Sequence, residues 1–440
     1  MGCAKNSVDS EHLIGMLEFA GHEMVNDAEE AQVGIINTCA FIQDAVKENV
    51  DAILDIELWK ERGALRKIVV AGCIVNRYEA ELRKELPSVD LWVRAEEWDK
   101  IIAFLDEKSL SAHDVSNCLP AKAPRGLLSE NRPWSRYLKV GEGCDTFCSY
   151  CTIPLIRGRL RSVPVERLVD EALGLAGSGA REICLVGQDL TVYGKDLYPQ
   201  AEKPAIEKLL SALDEALPDE TWIRLLYLHP DRITHEFVDF LRGSKKILPY
   251  MDIPVQHIDD AILAAMNRSP ASRHIQDIIA YVRGKDPFFA LRTTLMTGFP
   301  GETEESFIRV LDFLEEAEID RVGAFMYSQE EGTKAALLPG QIPEELKEER
   351  YRRLLELQSH ISQERNALFL GRTLRVLVEE IDLEGDLAWG RSYRDAPEVD
   401  GMVCVESGGT LAPGSWVDVE IVDSAEHDLF GAPVSRKEAM

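Results

Sequence analysis

Three cysteines crowd into one short stretch, Gly141-Glu142-Gly143-Cys144-Asp145-Thr146-Phe147-Cys148-Ser149-Tyr150-Cys151. Thiolates spaced Cys-x3-Cys-x2-Cys in one loop can each take one iron of a cubane [4Fe–4S] cluster. There is no fourth cysteine nearby, so the fourth iron would stay open, and a vacant position distinguishes a reactive metal site from a structural one. The plainer alternatives are a zinc knuckle completed by a distant ligand, and coincidence. The iron–sulfur reading is preferred because the loop follows a strand at the expected mouth of a barrel.

A second set, Cys3, Cys39 and Cys73, is dispersed at intervals of 36 and 34 residues, about one strand–helix unit each. Cys39 follows the apolar run at 35–36 and Cys73 the run at 67–71. Both therefore sit at the carboxyl edge of a sheet, where open α/β folds bind ligands. For Cys3 the preceding strand is missing, since only two residues come before it. Taken alone, such thiols read as buried core residues. Cys184, inside Ile183-Cys184-Leu185-Val186, reads as core, and Cys118 and Cys404 have no motif around them. His229 and His257 each follow a strand and read as satisfied structural histidines, not ligands. Arg157, Arg159 and Arg161 lie just beyond the cluster loop, where one could hold a carboxylate by a bidentate pair. Gln188 follows a buried strand at the same barrel face and is a candidate to hydrogen-bond cofactor or substrate.

The elements that must position these groups alternate between strand and helix, which predicts an α/β fold. Residues 1–120 read as an N-terminal parallel α/β domain, with helices at 44–60 and 80–86, and 111–133 as a linker. Residues 134–370 carry six apolar β-rich runs, at 137–140, 182–186, 222–228, 250–255, 291–296 and 321–327. Helical stretches lie between them, and a long charged helix follows at 343–370. That pattern predicts a (βα)6 partial TIM-like barrel. Residues 371–440 change to short strands at 373–379, 402–405 and 416–422, the size of a small OB-like β-barrel.

Composition narrows the classes further. The 440-residue chain carries 77 acidic against 49 basic side chains, a net charge of −28. Residues 1–120 hold 12 basic and 23 acidic groups and residues 371–440 hold 6 and 15, so neither terminal region is basic. That sign disfavours nonspecific attachment to nucleic acid or an anionic membrane and favours a basic partner. No apolar run is long enough to span a bilayer. The first residues lack a secretory pattern, and Asn6 stands where myristoylation wants Ser or Thr. Nine cysteines without an export signal point to a reducing, cytoplasmic setting, where thiols are ligands or core residues before they are disulfides.

The loop with Tyr150 before its last cysteine resembles that of the radical S-adenosylmethionine enzymes. The resemblance implies an open iron that chelates S-adenosylmethionine. It also implies one-electron cleavage to a 5′-deoxyadenosyl radical, for C–H bonds no side-chain base can deprotonate. With Cys3, Cys39 and Cys73 on an N-terminal α/β domain and a terminal β-barrel, the whole chain resembles the radical methylthiotransferases. By that resemblance the dispersed triad holds a second, auxiliary [4Fe–4S] cluster where sulfur is assembled and methylated, and the terminal barrel is a TRAM domain. Cys144, Cys148 and Cys151 would hold the radical cluster.

Several stretches resemble the branch that modifies an aspartate β-carbon of ribosomal protein S12: Gly2-Cys3-Ala4-Lys5-Asn6, Asn37-Thr38-Cys39-Ala40-Phe41-Ile42, 320–328 and 390–401. The alternative is a tRNA adenosine methylthiotransferase, whose members usually carry Gln-Met-Asn after the first cysteine. The acidic terminal domain argues for the basic ribosomal protein over tRNA. The resemblance further implies a low-potential electron donor such as flavodoxin or ferredoxin. It also places Tyr150, Gln188 and Gly298, the last in the turn Gly298-Phe299-Pro300-Gly301-Glu302-Thr303, near S-adenosylmethionine. Thr303 is positioned to cap the helix that follows. The family normally has a strand before its first cysteine, so the expectation is a truncated start and weaker anchoring of Cys3.

Overall fold

The computed structural model describes residues 2–106, 125–128, 132–200, 204–269, 271–382, 384, 386–406 and 409–434. Cys118 and most of the expected linker lie outside the described residues. At the N-terminal end, strands Val33–Thr38, Lys67–Gly72 and Leu91–Val93 form a parallel three-stranded sheet in that order. Parallel neighbours need long crossovers, and helices Gln43–Glu61 and Cys73–Glu85 supply them. Ile68, Val69, Val70 and Ala71 are all buried, as expected of a strand covered on both faces. The third strand was not anticipated, because Leu91-Trp92-Val93 is too short to carry a period.

Cys3 leads directly into helix Ala4–Phe19, which is buried on two sides. Its Leu13 and Leu17 pack on Val69, Ala71 and Val93 of the sheet. Its Val8 packs on Val186, Leu226 and Tyr250 of the next body. The polar residues Lys5, Asn6, Asp9 and Glu11 are carried inside between the two.

The middle of the chain supplies six parallel strands in two sheets: Ser135–Lys139, Glu182–Val186 and Trp222–Leu225, then Tyr250–Gln256, Ala290–Thr297 and Arg321–Met326. A bridge between Ile223 and Ile247 and a bond from Leu228 N–H to the Asp252 carbonyl (2.8 Å) join the sheets into the expected partial barrel. The third strand stops at Leu225, short of the expected 228, because Tyr227 turns into the left-handed region (φ 65°). Helix Glu344–Ala367 runs alongside, with Arg365 paired to Asp320 at 3.0 Å.

Five strands close the C-terminal barrel, in the order Thr373–Asp382, Leu387–Arg391, Val403–Glu406, Leu429–Pro433, Trp416–Ser424. Sequence reading missed the second and fourth in that order, where Gly390, Gly431 and Pro433 interrupt the alternation. This barrel docks on the amino-terminal ends of the six strands. Trp222 lies against Trp416 (ring centroids 4.4 Å apart, planes tilted by 58°), and Glu182 receives Arg224 at 2.7 Å and Arg391 at 2.6 Å. The carboxyl ends of the strands are thereby left for chemistry.

Candidate active site

A cavity of about 610 Å³ opens at those carboxyl ends, and all six cysteines of the two triads line it. The dispersed triad reaches it from three places in one α/β body. Cys3 precedes the N-terminal helix, Cys39 follows strand Val33–Thr38, and Cys73 begins helix Cys73–Glu85 directly after its strand. A side chain at Gly72 (φ 97°) would meet Asn37 Oδ1 at 2.4 Å and the Thr38 carbonyl at 2.8 Å, so only glycine lets the chain turn there. Asn6 donates to the Thr38 carbonyl at 2.9 Å, and Thr38 Oγ1 donates to the Ala71 carbonyl at 2.6 Å. These bonds tie the three strand and helix ends together.

The second triad sits on a loop clasped from the opposite sheet. Ser149 N–H donates to the Met266 carbonyl (2.8 Å), Ser149 Oγ to the Ala265 carbonyl (2.8 Å) and Asn267 Nδ2 to the Phe147 carbonyl (2.9 Å). Phe147 is held at φ 52°, and a Cβ on Gly143 (φ 72°) would lie 2.1 Å from the Arg159 carbonyl. Left-handed backbone recurs around the cavity at Tyr227 (φ 65°) and Gln256 (φ 73°), both lining it. Strain of this kind gathers at functional sites.

Charge is arranged around the thiols. Arg157 is buried and bonds Asp9 (2.9 Å), Glu142 (2.9 Å), Asn6 (2.5 Å) and, through Nε, the Cys73 Sγ (3.2 Å). Lys139 pairs with Asp9 and Glu142. Burial works against a charge on Glu142, but Lys139 and Arg157 hold its carboxyl below the usual range. Arg268 approaches Cys148 Sγ at 3.8 Å. Burial pushes the Cys73 and Cys151 thiols up to about 12, and Cys39 and Cys144 upward as well. Such thiols release their protons to a metal, not to water.

Three thiols on one loop and three brought to the same cavity by one α/β body suit iron–sulfur clusters, in which each thiolate takes its own iron. Guanidinium N–H groups directed at sulfur are the outer partners that tune such clusters.

The cavity includes Tyr150 and Gln188 but not Gly298. Gly298 donates its N–H to the Glu302 carboxylate (3.0 Å), and a Cβ there would strike Lys347 at 2.3 Å, so packing explains this glycine. Thr303 does cap its helix, in a reciprocal pair with Ser306. Of the three arginines beyond the loop only Arg157 is buried; Arg159 lies over the Phe147 ring, and Arg161 is exposed. His257 is a core histidine as expected: its Nδ1 accepts from Asp259 N–H at 2.9 Å, while its Nε2 has no hydrogen bond and stands 3.4 Å from the Glu302 carboxylate. The reading of His229 needs correction: it lines the cavity, and neither ring nitrogen has a hydrogen-bond partner. Burial, helped by Arg268 and Arg232, pushes it down to about 2, so its ring is neutral. Lys5, Gln256 and Arg268 also line the cavity and were not singled out as site residues, since lone polar residues at turns carry no spacing signal. Cys184 is buried in its strand, and Cys404 is buried in the terminal barrel.

Comparison with known proteins agrees with this architecture. Residues 1–94 match the uncharacterized protein family UPF0004, residues 138–314 the radical SAM superfamily and residues 370–434 the TRAM domain. The chain is 41% identical to the ribosomal protein uS12 methylthiotransferase RimO of Geobacter sulfurreducens, over 99% of this chain and 97% of that one. It is 42% identical to the RimO of Pelotomaculum thermopropionicum (99% and 98%) and 41% to that of Aquifex aeolicus (98% and 95%). Among solved structures, the radical S-adenosylmethionine methyltransferase TsrM from Kitasatospora setae, with cobalamin and a [4Fe–4S] cluster bound, superposes with a TM-score of 0.52. It shares 14% identity, covering 72% of this chain and 71% of that one, a likeness of fold alone.

Proposed function

The chain belongs to the RimO family of ribosomal protein uS12 methylthiotransferases, and from that premise we propose that it methylthiolates the β-carbon of an aspartate of ribosomal protein S12, using two [4Fe–4S] clusters and S-adenosylmethionine. It is a radical SAM enzyme that transfers methylthio groups. The observation that best supports the two-cluster reading is the single cavity lined by both cysteine triads. Sulfur assembled at one triad must meet a carbon radical made beside the other, and a shared chamber lets that happen without release of either.

In this reading Cys144, Cys148 and Cys151 hold the radical cluster and Cys3, Cys39 and Cys73 the auxiliary one. When bound, the clusters and S-adenosylmethionine supply the radical and the sulfur to be inserted. Tyr150 and Gln188 face the S-adenosylmethionine site. Arg157 and Arg268 direct N–H groups at Cys73 and Cys148 and offset the charge on those sulfurs. The neutral ring of His229 offers the cavity a nitrogen donor or acceptor without adding charge. A low-potential donor such as flavodoxin or ferredoxin supplies the electron, and the cytoplasm is the setting that fits a ribosomal substrate. No helix among the described residues is long and apolar enough to cross a membrane.

The test is anaerobic incubation of the reconstituted enzyme with S12, S-adenosylmethionine and dithionite, followed by mass spectrometry of S12. A methylthio gain on one aspartate is expected. An unchanged S12 with loss of a methylthio nucleoside from tRNA in cells lacking the gene would sink the proposal.

A further inference from the structure

Three cations line the cavity: Lys5, Arg157 and Arg268. Two are committed. Arg157 is taken by Asp9, Glu142 and Cys73, and Arg268 by the Pro254 carbonyl and Cys148. Lys5 closes no ion pair among the described residues. The residue is 8% exposed and its ammonium stands 3.9 Å from the centroid of the Tyr227 ring. Against the cost of burial, Tyr227, with Cys3 and Glu142 farther off, keeps it charged. A charge held in a closed chamber with no carboxylate in contact can take an anion brought by a substrate.

Tyr227 is itself firmly placed. Its N–H donates to Asp252 (3.0 Å), its carbonyl accepts from Leu190 N–H (3.0 Å), and its backbone is held at φ 65°. Lys5 therefore spans from the N-terminal helix to a barrel strand end, across the chamber that both triads share. Each triad already has a cation beside one of its sulfurs, Arg157 at Cys73 and Arg268 at Cys148.

We propose that Lys5 grips the side-chain carboxylate of the substrate's aspartate and so fixes the neighbouring β-carbon between the triads. This rests on the reading of the chain as an S12 aspartate methylthiotransferase. The chemistry fits: a carboxylate entering a closed chamber needs a counter-charge, and holding it leaves the β-carbon one bond away with little freedom. A neutral amide of the same shape would leave the ammonium unanswered.

The test compares S12 with an S12 variant whose target aspartate is asparagine, using reconstituted wild-type, Lys5→Met and Lys5→Arg holoenzymes of measured iron content. Wild type should prefer aspartate about 10- to 100-fold in kcat/KM, the range of one charge-assisted bond in a buried site. Lys5→Met should bring that preference down to about threefold or less, and Lys5→Arg should restore part of it. A wild-type aspartate preference in Lys5→Met overturns the proposal. So does a raised KM for S-adenosylmethionine with discrimination intact, which would assign Lys5 to the cofactor's carboxylate. A shifted auxiliary-cluster potential with discrimination intact overturns it too. Independently of any variant, wild-type enzyme should bind a target peptide with aspartate more tightly than one with asparagine, and equal binding overturns the proposal. If wild type adds no methylthio group to S12 at all, the functional reading itself fails and this inference with it.

Discussion

Arg157 Nε donates to the Cys73 sulfur at 3.2 Å, although the arginine follows the loop of one cysteine triad and Cys73 belongs to the other. The same guanidinium closes on Asp9 and Glu142, so one side chain joins the N-terminal body to the barrel at the cavity wall. Removing it leaves the buried carboxylate of Asp9 and the half-buried one of Glu142 with only Lys139 between them. Arg157→Ala should therefore destabilise the apo-protein by about 3 kcal/mol, the usual cost of stripping one partner from a buried ion pair. Denaturant unfolding measures it. A loss within ordinary surface-mutation scatter would show that the contact does not hold the two bodies together.

The two triads should be separable by iron content. Replacing Cys144, Cys148 and Cys151 with alanine should remove about half the iron and abolish 5′-deoxyadenosine formation. Replacing Cys3, Cys39 and Cys73 should also remove about half the iron, yet leave S-adenosylmethionine cleavage in place and stop sulfur insertion. The dispersed triad comes from three separate elements, so metal binding there would be more strongly coupled to folding. Full iron and full methylthiolation in the dispersed mutant would make those three thiols core residues.

Glu182 carries the pH dependence of the barrel junction. Burial alone would raise its carboxyl, but Arg391 and Arg224 bring it down to about 2. A carboxyl depressed in the folded state contributes stability that is complete above its unfolded pKa of about 4.5 and lost as pH falls toward about 2, some ~3 kcal/mol in all. Apo-protein unfolding followed from pH 6 to pH 3 should show this loss. Glu182→Gln, less stable at pH 6, should show a flatter profile, and an equally steep one would assign the dependence to other groups.

Gly143→Ala should be damaging out of proportion to one methyl group. The added carbon would lie 2.1 Å from the Arg159 carbonyl at a φ of 72°. Steric conflict and left-handed backbone together cost about 1–3 kcal/mol, delivered to the loop that holds Cys144. The iron content should fall toward half, as in the loop triple mutant, while Gly63→Ala, with open space around it, should keep both clusters. Equal iron in the two variants would refute the steric account.

The order of the domains and the local cysteine spacing are legible in the residues alone. Cys-x3-Cys-x2-Cys stands out because its three thiols are neighbours in the chain, and six apolar runs announce parallel strands because buried strands are continuous in sequence. What it could not decide was anything that depends on two distant segments meeting. Leu91–Val93 and Leu429–Pro433 become strands only because neighbours pair with them. His229 looks like any core histidine until its ring is seen lining the cavity with neither nitrogen hydrogen-bonded. The packing demand on Gly298, where a Cβ would meet Lys347 at 2.3 Å, cannot be seen until helix Glu344–Ala367 is laid against its turn. Above all, the convergence of Cys3, Cys39 and Cys73 on the chamber of Cys144, Cys148 and Cys151, with Lys5 left uncommitted between them, is a property of packing. Local spacing encodes which atoms can bind a metal. Only the burial of helix Ala4–Phe19 against both bodies decides which of those atoms share a space.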